Sequence, residues 1–287
     1  MAGIKRDQGA KMGEGLSVGS SVVIVARNSE STIGNCIKSI KRQSYPASEI
    51  LVVDNGSTDS TAYIAAKNAV RVVREPIPGR GRARNRGLRA SKEDFVVYID
   101  SDAFADRDWL KYLLSACANS NFAGVSGNVY AANPSRLIPR LIDIIMRDKS
   151  HYATLNIVYR RKVLTKLGGF DERLGNAEDV ELAWRILRSG HNIGYEPRSI
   201  VYHFHRGSLT EFLRQQYDFG KWSMIARKLT GMPTGRQEIL MLVAPLTFFK
   251  HLKEIHKHPM LPILLTLSSI AYAGGVSKGL ASWRNTR

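Results

Sequence analysis

From Ser21 to Asp102 the chain alternates short β-branched runs with segments of helical spacing. The runs are VVIVA (22–26), EILVVD (49–54), VRVV (70–73) and FVVYID (95–100). Uninterrupted apolar runs of this kind suit strands buried on both faces, and their alternation with helical segments predicts a parallel sheet with crossover helices. Ile33, Ile37 and Ile40 recur at spacings of four and three, which predicts an amphipathic helix over 30–43, closed by Tyr45-Pro46. Each strand leads into a turn and a helix, so polar residues at strand ends collect along one edge, where open α/β sheets bind ligands. Asn28, Asp54 and Asp100 stand at such ends.

Beyond residue 105 the alternation loosens into a helix over 107–118, a strand over 123–129 and a helix over 136–147. LGGFDE (167–172), AEDVELAWRILRSG (177–190) and VYHFHRGS (201–208) follow without a linker and join the same domain. The character changes after about residue 235. Met260 to Val276 is seventeen residues without a formal charge, flanked by His256, Lys257 and His258 before it and Lys278, Arg284 and Arg287 after it. That length sits at the lower limit for a bilayer span. Ile239 to Phe249 is too short to cross but suits the membrane interface. The expected organisation is a flexible leader over 1–20, a catalytic domain over 21–235 and an apolar helical, membrane-associating tail over 236–287.

Charge sharpens this picture. With 42 Lys+Arg against 25 Asp+Glu the formal net charge is +17, a balance that favours nucleotide phosphates, polyanions or anionic lipid. Cys36 and Cys117 each fall inside a helical pattern, with no Cys-x-x-Cys signature, and read as reduced, buried thiols. The first twenty residues hold five glycines and no apolar core of a signal peptide, so the catalytic region is expected in the cytosol.

Five groups of residues can carry chemistry. Asp100-Ser101-Asp102 ends an apolar strand with two carboxylates whose repulsion a divalent cation relieves, and hard oxygen ligands suit magnesium or manganese. Asp54-Asn55-Gly56-Ser57-Thr58-Asp59 ends the second strand with turn and capping residues, and Asp54 can accept from a base or ribose. Residues 74–92 carry Arg74, Arg80, Arg82, Arg84, Arg86, Arg89 and Lys92 around Gly79 and Gly81; diphosphate recognition is one reading, a polyanion patch or solvated helix face another. Glu178 and Asp179 open a helix, where a carboxylate facing the crevice can take a proton from a hydroxyl, although acidic residues are favoured at helix starts in any case. His203 and His205 share one face of a strand, and one of them can complete a metal site.

Taken in order, VVIVARNSE, ILVVDNGSTDST, GRARNRG, VVYIDSD, LGGFDE, AEDVELAWR and VYHFHRGS resemble the family 2 inverting glycosyltransferases of GT-A fold, over roughly residues 21–210. The resemblance implies a doubly wound mixed α/β sheet flanked by helices and a Mn2+ or Mg2+ cofactor. It implies donor contacts at Ala26, Asn28, Glu30, Asp54, Arg84 and Asp100, with Asp54 on the base and Asp100 on the ribose. Asp102 and His203 then hold the metal, His203 because it stands five residues before Ser208, and His205 is the second choice. Asp179 becomes the catalytic base, with Glu178 supporting the acceptor site.

The implied reaction is direct displacement at the anomeric carbon of a nucleotide-diphosphate sugar. Asp179 deprotonates the incoming hydroxyl, while Arg84 and the cation held by Asp102 and His203 offset charge on the leaving diphosphate. The implied partners are that donor, a lipid-linked or cell-surface glycan acceptor of polysaccharide biosynthesis and a membrane surface, with no nucleic acid. The implied location is the cytoplasmic face of the cell membrane, peripheral or single-span. Two other classes stay open on sequence alone: a sugar-phosphate nucleotidyltransferase, which releases pyrophosphate, and a non-catalytic basic module that binds nucleic acid or anionic membrane.

Overall fold

The computed structural model describes residues 17–146, 152–205, 207–232 and 258–284. In chain order the elements are β1 (Ser20–Ala26), α1 (Ile33–Lys41), β2 (Glu49–Asp54), α2 (Thr61–Lys67), β3 (Arg71–Arg74), α3 (Arg80–Ala90), β4 (Phe95–Asp100), β5 (Ala103–Ala105) and α4 (Trp109–Ala118). They continue with β6 (Gly124–Ala131), α5 (Leu137–Met146), β7 (Ile157–Arg160), α6 (Arg161–Lys166), α7 (Glu178–Arg188), β8 (Ile193–His203), α8 (Leu209–Thr230) and α9 (Leu261–Arg284). The strands form one sheet in the order β3-β2-β1-β4-β7-β6-β8-β5. β1 to β4 pair parallel, and β7 then runs antiparallel to both β4 and β6. The mixed sheet expected from the motif order is therefore present.

Both faces of the sheet are covered. On one, Ile33, Cys36 and Ile37 of α1 and Trp109, Leu110 and Leu113 of α4 pack against Val22, Ile24, Val52 and Val97. On the other, Ala83 and Leu88 of α3, Leu164 of α6 and Leu182 and Ile186 of α7 cover Leu51, Val53, Val96, Tyr98, Ile157 and Tyr159. α1 is shorter than the periodicity predicts, because the Ser29 carbonyl accepts from the amides of Thr32 and Ile33 and turns the chain before the helix begins. Both cysteines are buried and free, and burial pushes the Cys117 thiol up to about 12. The sheet starts before the expected end of the leader, since Ser20 is already buried in β1. Residues 1–16 lie outside the described part.

The C-terminal helices form a layer of their own. Leu261, Leu264 and Leu265 of α9 share a small core with Leu141, Ile142 and Ile144 of α5 and with Phe212 of α8. Further along, a Cβ at Gly275 would collide with the Tyr217 carbonyl, one at Gly220 with the Tyr272 carbonyl, and one at Gly279 would lie 2.5 Å from the Lys221 carbonyl. These glycines let two helix backbones approach closely. The helices run in the same direction, since Phe212 clusters with Leu261 and Leu264 while Lys221 and Met224 meet Gly279. The change of character at about residue 235 is thus not a break in packing: α9 returns to α8 and α5. Among the described residues α9 is the one helix long and apolar enough to cross a bilayer, by length and composition. The apolar segment from Ile239 to Phe249 lies outside the described residues.

Candidate active site

β4 ends in Asp100, and the chain turns through Ser101 and Asp102 into β5. β5 pairs antiparallel with the end of β8, Ala103 opposite His203, and this register brings the two segments together. One donor atom each from Asp100, Asp102 and His203 lie within 4.8 Å of one another. His203 Nε2 is 3.2 Å from Asp102 Oδ1, and its Nδ1 is 3.4 Å from Nδ1 of His205. Burial, and secondly His203, push His205 down to about 4, with Asp143 and Asp102 opposing. A neutral His205 can fix the ring of His203 from behind. The site's enclosure raises the Asp100 carboxyl above its ordinary range, opposed by Arg84 and reinforced by Asp102. Two carboxylates and an imidazole at this spacing fit a hard divalent cation, which would relieve their mutual repulsion.

The loops after β1 and β2 clasp each other beside this group. Asn28, at φ 50°, accepts from the Thr58 amide at 2.9 Å and donates its own amide to Ser57 Oγ at 3.1 Å. Glu30 accepts from the Ser60 amide at 3.0 Å, and Asp59 accepts from the Glu30 amide at 3.1 Å. Asn28 and Glu30 therefore use their side chains on the neighbouring loop. Asp54 is 7% exposed and accepts from the Ser57 amide at 3.2 Å. Ala26 lies opposite it in the sheet, is 1% exposed and gives its carbonyl to the Asn55 amide at 2.9 Å.

The arginine-rich segment is mostly helix. Gly79 caps α3, and its amide donates to Asn55 Oδ1 at 2.9 Å. Arg82 and Arg89 pair with Glu172, and Arg86 donates to the Arg74 carbonyl. Arg84 is not open to solvent. Its side chain is 7% exposed, paired with Glu178 and 3.7 Å from Asp100 Oδ1. Glu178, which the resemblance has supporting the acceptor site, is 1% exposed and turned to Arg84. The helix spacing explains this: Glu178, Glu181, Leu182 and Ile186 share the buried face of α7. Asp179 is half-buried at the same helix start and accepts from the Thr154 amide at 3.3 Å.

Polar groups that sequence reasoning passed over hold this arrangement. Asn85 donates to the Phe170 carbonyl at 2.9 Å and accepts from its amide at 2.8 Å, locking α3 to the loop before α7. Arg80 donates to Asn176 Oδ1 at 3.1 Å. Asn85 stands within GRARNRG, so its motif was visible although its partner was not. Thr154 Oγ1, Tyr159 Oη and Glu178 Oε2 are buried without a hydrogen-bond partner among the described residues. Thr154 touches Asp179, Tyr159 feels its charge and Glu178 precedes it in the chain, so these three gather around one carboxylate, whereas Ser20 Oγ is orphaned in β1. Such groups cost stability. A cleft of about 810 Å³ between the 167–173 loop, α7 and the end of α8 contains none of the metal-binding candidates. Arg185 in its wall is already held by Glu181 and by the Leu167 and Gly169 carbonyls.

The profile of the family described as glycosyl transferase family 2 matches residues 21–171, and that of a glycosyltransferase-like family 2 matches 142–228. The chain is 30% identical over 219 residues to a pre-mycofactocin glycosyltransferase of Mycobacterium tuberculosis, covering 70% of this chain and 46% of that protein. The chain thus spans less than half the length of that relative. It is 28% identical to the glycosyltransferase AglE of Haloferax volcanii, covering 70% of this chain and 71% of AglE. Among solved structures it resembles glucosyl-3-phosphoglycerate synthase of Mycobacterium tuberculosis in complex with Mn2+, UDP-glucose and phosphoglyceric acid, with TM-score 0.59, 24% identity and 76% and 81% of the two chains covered. It also resembles the mannosyltransferase PcManGT of Pyrobaculum calidifontis in complex with GDP-mannose and Mn2+, with TM-score 0.60, 22% identity and 93% and 78% covered. At these identities the structural neighbours establish the fold. With more than half of its length matched by the family profile, the chain belongs to glycosyl transferase family 2.

Proposed function

We propose that this chain is an inverting, metal-dependent glycosyltransferase that moves a sugar from a nucleotide-diphosphate donor to a hydroxyl of a lipid-linked or cell-surface glycan. The observation that carries the reading is the position of Arg84, which touches both Asp100 and Glu178. One guanidinium separates the carboxylates at the sheet edge from the helix start that bears Asp179. A donor held at the first and an acceptor approaching the second would share one crevice.

In this reading Asp54 accepts from the base and Asp100 from the ribose. Asp102 and His203 would hold Mn2+ or Mg2+, with Asp100 beside them, and the ion when bound would supply charge stabilisation for the departing diphosphate. Asp179 accepts the proton of the acceptor hydroxyl as that oxygen attacks the anomeric carbon and the bond to the diphosphate breaks. A single displacement inverts the anomeric centre. The Mn2+ and nucleotide sugars named in the neighbours' complexes support this assignment by similarity.

The tail belongs to the same proposal. α9 exposes Ile263, Ile270 and Leu280 on the side turned from α8, and we place this face against the cytoplasmic leaflet. Its glycine contacts with α8, which carries Arg214, Asp218 and Lys221, support an in-plane rather than a spanning arrangement. A thermal-shift panel of nucleoside diphosphates and their sugars, with and without Mn2+, tests the donor site. One nucleotide series is expected to stabilise the protein selectively and only with metal. Indifference to every nucleotide, or pyrophosphate release from a nucleoside triphosphate and a sugar phosphate, would overturn the reading.

A further inference from the structure

The resemblance implies that Arg84 helps to offset charge on the leaving diphosphate and that Glu178 supports the acceptor site. Their burial gives them a different task. Both side chains are withdrawn from solvent and paired. The other ion pairs of α3 and α7, Arg82–Glu172, Arg89–Glu172 and Arg185–Glu181, each keep a partner at least 27% exposed. The guanidinium lies between Glu178, Asp100 and the Phe170 ring, and the Arg84 backbone is tied to β4. The Arg84 carbonyl accepts from Tyr98 Oη at 3.2 Å, and the guanidinium carbon lies 5.8 Å from the centre of the Phe170 ring. Asn85 clamps the Phe170 backbone, so α3, β4 and the loop before α7 converge on one cation.

A buried pair contributes little net stability against well-packed apolar residues of similar size, yet removing one partner is costly. Its usefulness lies in fixing geometry. Resting on the function proposed above, we propose that Arg84 and Glu178 are positioning residues. They set the first turn of α7, and with it Asp179, against Asp100 at the end of β4, and contact neither the diphosphate nor the acceptor. A planar guanidinium suits this task, since its fork reaches two carboxylates at fixed angles and a lysine would reach one.

The test compares Glu178→Gln, Arg84→Met and their double variant with wild type, and adds Glu178→Asp and Arg84→Lys, which keep the charge, as a safeguard against failed folding. UDP-glucose and GDP-mannose with Mn2+ are the donors, and UDP and GDP the calorimetric probes. Glu178→Gln is expected to hold nucleotide binding within about threefold and lower kcat by about 10- to 100-fold, the effect of a small misplacement of reacting groups. Glu178→Asp and Arg84→Lys should each recover part of that loss. The double variant should be no slower than the worse single one, because residues acting as a unit are not additive.

Three results would overturn the proposal. One is a raised acceptor KM with kcat intact in Glu178→Gln, which would put Glu178 on the acceptor. Another is nucleotide binding weakened equally by Arg84→Met whether or not Glu178 is present, which would put Arg84 on the diphosphate. The third is additive shifts in urea midpoint, whatever the rates. If the wild-type protein binds neither nucleotide, the function reading fails by itself, and additive urea midpoints would independently dismiss the pair.

Discussion

The half of the sheet formed by β1 to β4 and the half formed by β5 to β8 are built on different principles. In the first, each strand is followed by its own turn, and polar side chains are satisfied by the adjacent loop, as Asn28 with Thr58 and Glu30 with Ser60. The result is a rigid, locally wired edge. In the second half strands reverse direction, β5 is only three residues long, and the residues proposed for metal and base arrive from distant positions: Asp102, Asp179 and His203. Here carboxylates face one another, and Thr154, Tyr159 and Glu178 keep buried polar atoms unpartnered. The comparison teaches that the first half is wired mainly by neighbouring loops, with Ser20 Oγ left as an orphan in β1, whereas the second depends on contacts between segments far apart in the chain.

The sharpest way to break this comparison is to neutralise one carboxylate of the second half. Asp102→Asn should lose transfer to the detection limit and lose metal-dependent nucleotide binding by calorimetry, while the urea midpoint stays at or above that of wild type. The sign follows from the repulsion between Asp100 and Asp102, which the substitution relieves. Unchanged metal-dependent binding would show that this cluster is an ordinary surface group.

Asp179→Asn comes next. Removing a positioned base costs about 10² to 10⁴ in rate, and since Asp179 lies on α7 and not on the segments proposed to bind metal, UDP and Mn2+ binding should persist. Single-turnover kinetics with saturating donor separates the two effects. A variant that transfers normally would move the base elsewhere among the acidic groups of α7.

The difference between the halves also explains what could be read in advance. The runs of β1, β2 and β4 and the residues at their ends are signals within a few positions of one another, and the sheet follows them closely. Asp100 and Asp102 were legible because a D-x-D after an apolar strand is a local pattern. The burial of Glu178 was not, since the side chain that covers it, Arg84, stands far away in the chain. A basic stretch such as 74–92 reads as an open patch, and only tertiary packing discloses that Arg82, Arg84 and Arg89 have acidic partners. The tail was ambiguous for the same reason. Uncharged length suggests a membrane helix, whereas Gly220, Gly275 and Gly279 matter only once α8 is known to lie alongside.

The C-terminal layer gives a third, smaller test. Gly275→Leu would drive a side chain into the Tyr217 carbonyl, and overpacking of this kind costs about 1–3 kcal/mol. If the layer is an addition to the catalytic sheet, hydrogen exchange should rise in α8 and α9 while β1 to β4 stay protected and nucleotide binding is unchanged. Exchange rising across the whole sheet would instead make sheet and layer one cooperative unit.

The smallest expected effect concerns the outer face of α9. Ile263 is 52% and Ile270 64% exposed, apolar side chains presented to solvent on a helix whose other face is committed to α8 and α5. On a protein with formal charge +17, an anionic bilayer offers attraction for the basic residues and an apolar layer for these isoleucines. Ile263→Lys should weaken flotation with anionic vesicles by about tenfold, about 1.4 kcal/mol, with little change in the urea midpoint, because the side chain is 52% exposed. A carbonate wash should release the wild-type protein, since an in-plane helix leaves α8 and its charges in water. A spanning helix would have to leave α8 behind. It would resist the wash, and its binding would be indifferent to Gly275→Leu. That pair of results would replace the in-plane arrangement with a transmembrane one and separate the tail from the layer it forms here.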